Sequence, residues 1–178
     1  GISAFGGVHS RQLMNQEDGT IKISDIESSI RVDNVHFPKT SAIALENTHN
    51  LCNGSPLTPK YINEVAQIAH ANEMKVHVDG ARIFNASVSL DVNVKTLVEN
   101  ADSVTFCLSK GLSAPIGSVI CGDEKFIDEA RRIRKALGGG MRQAGIIAAA
   151  GIISLDSMIK QIQKDHDHVQ ILVEGIIK

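Results

Sequence analysis

Two side chains have types and a spacing that suit carbonyl chemistry. Lys110 lies in the stretch from Ser103 to Gly117, where a β-prone run, Val104 to Cys107, delivers Ser109 and Lys110 into a turn rich in glycine and small residues. A second apolar run, Ser118 to Cys121, follows. This pattern predicts a lysine at the end of a buried strand rather than on a solvated helix face. An ammonium partly withdrawn from water gives up its proton readily and becomes a nucleophile toward carbonyl carbon, as a Schiff base requires. An ordinary surface lysine carries equal weight on the local sequence alone, because lysines are mostly exposed. Asp79 closes another short apolar run, Lys75 to Val78, about 30 residues earlier, roughly the length of one crossover unit. Both side chains are therefore expected at the same edge of a sheet. Taken without Lys110, Asp79-Gly80 reads as an Asx turn. Taken together, a lysine for an aldehyde and a carboxylate for a ring nitrogen are the pair that pyridoxal phosphate requires, because the protonated ring must stay electron-withdrawing.

The elements that position these residues can be read in order. Ser24-Asp25-Ile26-Glu27 predicts a capping box and a short helix to about Arg31. Val35-His36-Phe37-Pro38 is extended or loop, since the residue before proline avoids the helical region. Ala42 to Leu45 suits a strand buried on both faces, and it ends in five polar residues, Glu46 to Asn50, where α/β sheets place their sites. Thr58-Pro59 starts a helix that buries Ile62, Val65, Ala66, Ile68 and Ala69 and stops near Asn72. A helix over about Val94 to Asn100 precedes the lysine strand. Asp123 caps another that runs to about Leu137, and Gly138 to Gly140 form a C-cap or hinge. A long helical segment from Ala144 to Ile177 follows, its apolar first half expected to be buried against the sheet or a partner chain. The alternation of strands and helices predicts an α/β domain with a mainly parallel sheet and flanking helices.

Composition narrows the function classes. The 178 residues are 43% hydrophobic and 21% charged, enough for one core. A net charge of −2 and a pI near 6.4 provide no basic field for nucleic acid or anionic membrane. Cys52, Cys107 and Cys121 lack CxxC spacing, which argues against a disulfide framework or zinc site and for a reducing, cytoplasmic compartment. No run is expected to reach the length of a membrane span, because Ile146 to Ile153 is short and interrupted by Gly151. His166 and His168, interleaved with Asp165 and Asp167, read as a solvated helix face rather than a metal site.

Four motifs carry a family resemblance: Glu46-Asn47-Thr48-His49-Asn50, His77-Val78-Asp79-Gly80-Ala81-Arg82-Ile83-Phe84-Asn85, Cys107-Leu108-Ser109-Lys110-Gly111-Leu112 and Leu137-Gly138-Gly139-Gly140-Met141-Arg142-Gln143. In this order they resemble the low-specificity L-threonine aldolases, of the β-eliminating lyase group of fold-type-I pyridoxal phosphate enzymes. The resemblance implies that Lys110 bonds the cofactor aldehyde, Asp79 pairs with its pyridine nitrogen and Arg82 lies near its phenolic oxygen. It also implies that His36 lies near the substrate hydroxyl and that Arg142 reaches cofactor phosphate across a subunit interface. The reaction it implies is retro-aldol cleavage of L-threonine or L-allo-threonine to glycine and acetaldehyde, with histidine suited to take the hydroxyl proton. The substrate would be a small β-hydroxy-α-amino acid and the full-length protein a homo-oligomer, a tetramer. Family members carry a phosphate-binding turn and a stacking histidine before the point matched by Gly1. After the point matched by Lys178 they carry a small domain with an arginine for the substrate carboxylate. Residues 1–178 are thus expected to form the central part of a large domain. Two other readings stay open: another pyridoxal phosphate-dependent lyase or aminotransferase, and an inactive fragment or interaction module of the same fold.

Overall fold

Val76 and Val78 alternate with Lys75, His77 and Asp79, and this period of two sets the character of the sheet. In the computed structural model, which describes residues 1–177, four strands form: β1 (Ala42–Glu46), β2 (Lys75–Asp79), β3 (Ser103–Cys107) and β4 (Ser118–Gly122). Their spatial order is β1-β2-β3-β4. The first three run parallel, and β4 runs antiparallel to β3. The sheet is therefore mixed. The reversal at β4 follows from the short β3–β4 connection, since a parallel return needs a dozen or more residues and usually a helix.

Eight α-helices accompany the strands among the described residues: α1 (Ile2–Gly6), α2 (Ile23–Ser29), α3 (Pro59–Ala71), α4 (Ile83–Ser89), α5 (Val94–Leu97), α6 (Glu124–Ala136), α7 (Gly145–Ile153) and α8 (Ile159–Ile177). One face of the sheet is covered. Val76 and Val78 are buried with Ala66 and Ala69 of α3, Ile83 and Ala86 of α4, and Leu97 of α5. Leu45 joins a second cluster with Ile26, Leu57, Ile62 and Val65. On the other face Ala42, Ala44, Lys75 and Asp79 are exposed, and His77 and Thr105 are half-buried. The expectation that β1 is buried on both faces is thus corrected, because β1 is an edge strand covered from one side.

Local chemistry sets the helix ends. Thr58 Oγ1 accepts from the Tyr61 N–H at 3.3 Å with Pro59 at the first turn, and Asp123 Oδ1 accepts from the Phe126 N–H at 2.8 Å. The Tyr61 hydroxyl donates to the Ile21 carbonyl at 2.9 Å and accepts from its N–H at 2.8 Å, fastening the N-terminal segment to α3. Three expectations change. Helix α2 starts at Ile23 with Lys22 at the N-cap and no side-chain cap bond, so the Ser24–Glu27 capping box does not form. The helix expected over 94–100 ends at Leu97. Helix α4 is absent from the sequence reading, because Asn85, Ser87 and Ser89 are weak helix formers and burial of Ile83 and Ala86 decides the matter.

Helices α7 and α8 join through a π-helical turn, Ser154–Met158. There the hydroxyls of Ser154 and Ser157 donate to the carbonyls of Ala150 and Ile153 at 2.9 and 2.6 Å, competing with the helical ladder. The apolar first half is not buried against the sheet: Ile146 is 92% exposed, while Gly151 packs on Leu108. The combined helix Gly145–Ile177 is also long and apolar enough to cross a membrane by length and composition, which corrects the expectation that no run reaches that length.

Candidate active site

Register aligns Glu46, Asp79 and Thr105 across β1, β2 and β3 at the C-terminal end of the parallel strands. The chain leaves β2 through a tight turn. Asp79 Oδ1 accepts from the Ala81 N–H at 3.2 Å, the Asx turn that the sequence allowed, and this bond orients the carboxylate while leaving it exposed. The Gly80 N–H donates to the Thr105 carbonyl at 2.7 Å. A Cβ on Gly80 would stand 2.8 Å from that oxygen and 2.9 Å from Ile83 Cβ, so no side chain fits there. Arg82 follows, half-buried, with Nη1 donating to Asn50 Oδ1 at 3.2 Å.

Lys110 stands on a pinned loop. The Leu108 N–H donates to the Gly117 carbonyl at 2.9 Å, the Ala114 N–H to the Leu108 carbonyl at 2.9 Å and the Ser113 N–H to the Lys110 carbonyl at 2.8 Å. Leu112 and Ala114 turn inward, 2% and 6% exposed, whereas Lys110 itself is exposed. The expected partial desolvation of this lysine is not provided by the described residues. Gly111 packs on Asn85, and a Cβ there would lie 2.6 Å from Asn85 Oδ1. Asn85 Nδ2 in turn meets His166 Nε2 at 3.2 Å, linking α4 to α8 behind the lysine turn.

The loop after β1 is the third wall. Asn47, fully buried, donates through Nδ2 to the Leu57 carbonyl at 3.2 Å and accepts the Leu57 N–H at 3.1 Å. His49 is 8% exposed, and its Nδ1 has no hydrogen-bond partner among the described residues. Its Nε2 lies 3.8 Å from Glu46 Oε2, and Gly19 packs so closely on the imidazole that a Cβ there would be 2.7 Å from His49 Cβ. Burial pushes the His77 imidazole below its ordinary range, and the Asp79 carboxylate partly offsets that.

Of the sequence-read residues, the structure places Asp79 at the end of β2, Arg82 in the turn that follows it and Lys110 in the loop beyond the adjoining β3. Among the described residues none of the three has an ion-pair partner. His36 is not joined to them. It is exposed, with its N–H bonded to Asn34 Oδ1 at 2.9 Å. Its loop is tied by Arg31 N–H to Thr40 Oγ1 at 3.1 Å and by Lys39 to Glu73 at 3.5 Å, near the N-terminal end of β2. Arg142 is exposed in the loop between α6 and α7. The sequence reading missed Asn50 and Asn85 as partners of these groups, although both lie inside motifs it singled out.

A mixed, mainly parallel sheet with flanking helices, carrying a carboxylate, a guanidinium and an ammonium beyond its strand ends, defines an α/β domain of the class that places its sites at those ends. The particular family follows from comparison: the chain belongs to the beta-eliminating lyase family, which it matches over residues 1–177. It is 49% identical over 178 residues to the probable low-specificity L-threonine aldolase 2 of Arabidopsis thaliana, covering 99% of this chain and 50% of that protein. It is 40% identical over 176 residues to the low specificity L-threonine aldolase of Escherichia coli K12, covering 99% of this chain and 52% of that protein. The chain thus spans about half the length of these relatives. The solved structure of Leishmania major threonine aldolase superposes with a TM-score of 0.75 at 18% identity over 90% of this chain and 48% of that one, a likeness that speaks for the fold alone.

Proposed function

We propose that the full-length protein uses pyridoxal phosphate to cleave L-threonine and L-allo-threonine to glycine and acetaldehyde. The observation that carries this reading is the uncompensated trio of Asp79, Arg82 and Lys110 at adjoining strand ends. The trio fits the cofactor's functional groups: an acceptor for a ring N–H, a donor for an anionic oxygen and an amine for an aldehyde. Gly80 and Gly111, where a Cβ would collide with its surroundings, keep the supporting turns tight. The names of the relatives support the reaction and substrate class.

When bound, pyridoxal phosphate supplies an electron sink that weakens the bonds at the substrate Cα. Lys110 is the residue that would hold the cofactor's aldehyde carbon through its side-chain nitrogen. Asp79 accepts the ring N–H and keeps that proton in place. Arg82 donates to the anionic oxygen beside the aldehyde. His36 accepts the proton of the substrate β-hydroxyl, which requires its exposed loop to be presented to the strand ends. Arg142 of a neighbouring copy takes the cofactor phosphate in a homo-oligomer, a tetramer working in the cytoplasm.

The test is Lys110→Ala in the full-length protein, with visible spectra after adding pyridoxal phosphate and separate assays of acetaldehyde, ammonia and amino-acceptor products. Wild type is expected to show a visible band and to yield acetaldehyde with glycine, and the variant is expected to lose both. An undiminished band with normal cleavage in the variant refutes the site. Ammonia or an amino-acceptor product from wild type would instead support another lyase or an aminotransferase.

A further inference from the structure

Arg82 is held by a neutral partner where a charged one would be the stronger choice. Its Nη1 donates to Asn50 Oδ1 at 3.2 Å. The nearby carboxylate, Glu46, is engaged elsewhere: Oε1 accepts from the Asn50 N–H at 3.2 Å and Oε2 faces His49 Nε2 at 3.8 Å. His49 is itself fixed by burial and by the close approach of Gly19. The 3₁₀ turn Asn50–Cys52 that presents Asn50 is closed by Cys52 N–H to the His49 carbonyl at 3.3 Å and Gly54 N–H to the same oxygen at 2.9 Å. Glu46 thus anchors the backbone of Asn50, and the Asn50 side chain aims Arg82, yet no carboxylate pairs with the guanidinium among the described residues.

An aspartate at this position would form a charge-assisted pair with Arg82 and cancel its field. An amide oxygen fixes the guanidinium in direction while leaving its positive charge available to a ligand. We propose that Asn50 is a positioning residue for Arg82, aiming an uncancelled guanidinium at an anionic oxygen of the group bound at the strand ends. This deepens the functional reading above and rests on it. The other charged groups at these strand ends are Glu46, Asp79 and Lys110; of these Glu46 alone, among the described residues, is hydrogen-bonded to Asn50, through the Asn50 N–H. Sequence spacing hides the arrangement, because Asn50 and Arg82 are 32 positions apart on different elements.

The experiment compares full-length wild type, Asn50→Ala, Asn50→Asp, Arg82→Leu and the double variant Asn50→Asp/Arg82→Leu. After loading with pyridoxal phosphate, the pH midpoint of the visible band is recorded. A cation beside the cofactor's anionic oxygen disfavours a further proton nearby, so cancelling it raises the midpoint. Asn50→Asp, which conserves shape, is expected to raise it by about one pH unit, and Asn50→Ala by less. In the Arg82→Leu background the effect of Asn50→Asp should largely vanish, since the two residues act as one unit. A visible band whose midpoint is the same in wild type and both Asn50 variants overturns this proposal alone. A shift from Asn50→Asp that keeps its full size without Arg82 also overturns it, because the aspartate would then act by its own charge. A wild-type protein that shows no visible band overturns the functional reading and this proposal with it.

Discussion

Asp102, just before β3, accepts more hydrogen bonds than any other carboxylate among the described residues, and its replacement by asparagine should expose a specific acid sensitivity. Its Oδ1 accepts from Lys75 Nζ at 2.7 Å, and its Oδ2 accepts from the Val76 N–H at 2.8 Å and meets His70 Nε2 at 2.9 Å. Burial pushes the carboxyl pKa up, but these bonds, led by that from Lys75, outweigh it and hold the group at about 2 instead of 3.8. At 1.36 kcal/mol per pH unit this difference corresponds to about 2.4 kcal/mol. The Asp102 side chain is 22% exposed and that of Lys75 is 70% exposed, so solvent screening reduces the contribution to about 1 kcal/mol. The sign follows from linkage. The unfolded chain takes up the proton first, so the stabilisation is fully present above about pH 4. It is lost as pH falls toward about 2. Urea titrations of the full-length protein at a series of pH values from 6 to 2 read it directly. An asparagine side chain cannot titrate, so Asp102→Asn should lower stability near neutrality and flatten the acid limb below pH 4. A variant whose acid limb superimposes on that of wild type refutes the reasoning, because the lost stability would then belong to other carboxylates.

Gly111→Ala places a Cβ 2.6 Å from Asn85 Oδ1, which should cost about 1–3 kcal/mol of stability as overpacking; a urea melt checks this, and the added change Asn85→Ala should recover most of the loss. His77, whose imidazole burial holds below 6.5 with Asp79 partly opposing, favours its neutral form in the fold. Its contribution is present above about pH 6.5 and declines as pH falls below it, so His77→Gln should reduce the fall in urea midpoint between pH 7 and 5. Tyr61→Phe removes both hydrogen bonds to Ile21. It should destabilise by about 1–2 kcal/mol and increase amide exchange in the 15–21 segment, measured by mass spectrometry.

The strands and the principal caps were legible because each is written in a few neighbouring residues. Val76 and Val78 alternate with polar partners, Thr58-Pro59 and Asp123 carry their own capping chemistry, and Asp79 and Lys110 stand one crossover apart. What stayed hidden depends on contacts between distant positions or on competition between local preferences. Asn85 meets His166 across 81 residues, and no periodicity signals that meeting. Ser24 offered a cap, yet with Ile26 buried the helix starts at Ile23, two positions earlier than that cap implies. The apolar sequence of α7 announces a buried face, but burial depends on what lies against a helix, and the sheet does not.

The two ends of the parallel strands treat the same residue types in opposite ways. At the N-terminal end Asp102 is surrounded by Lys75, His70 and the Val76 N–H, so its charge is taken up by the fold. At the C-terminal end Asp79 keeps a single backbone donor, Arg82 is met by a neutral amide and Lys110 has no ion-pair partner among the described residues. A sheet needing charge pairs only for stability would gain by joining Asp79 to Lys110 or Arg82. Instead the turn at Gly80 directs the carboxylate by its own Asx bond, the pinned loop of Leu108 to Gly117 holds the lysine, and Asn50 holds the arginine. The carboxylate and the guanidinium are oriented by uncharged contacts, and the lysine is held through its backbone. That separation of orientation from neutralisation leaves all three fields available to a bound group, and it makes the strand ends, rather than the Asp102 cluster, the place where substitutions should change chemistry before stability.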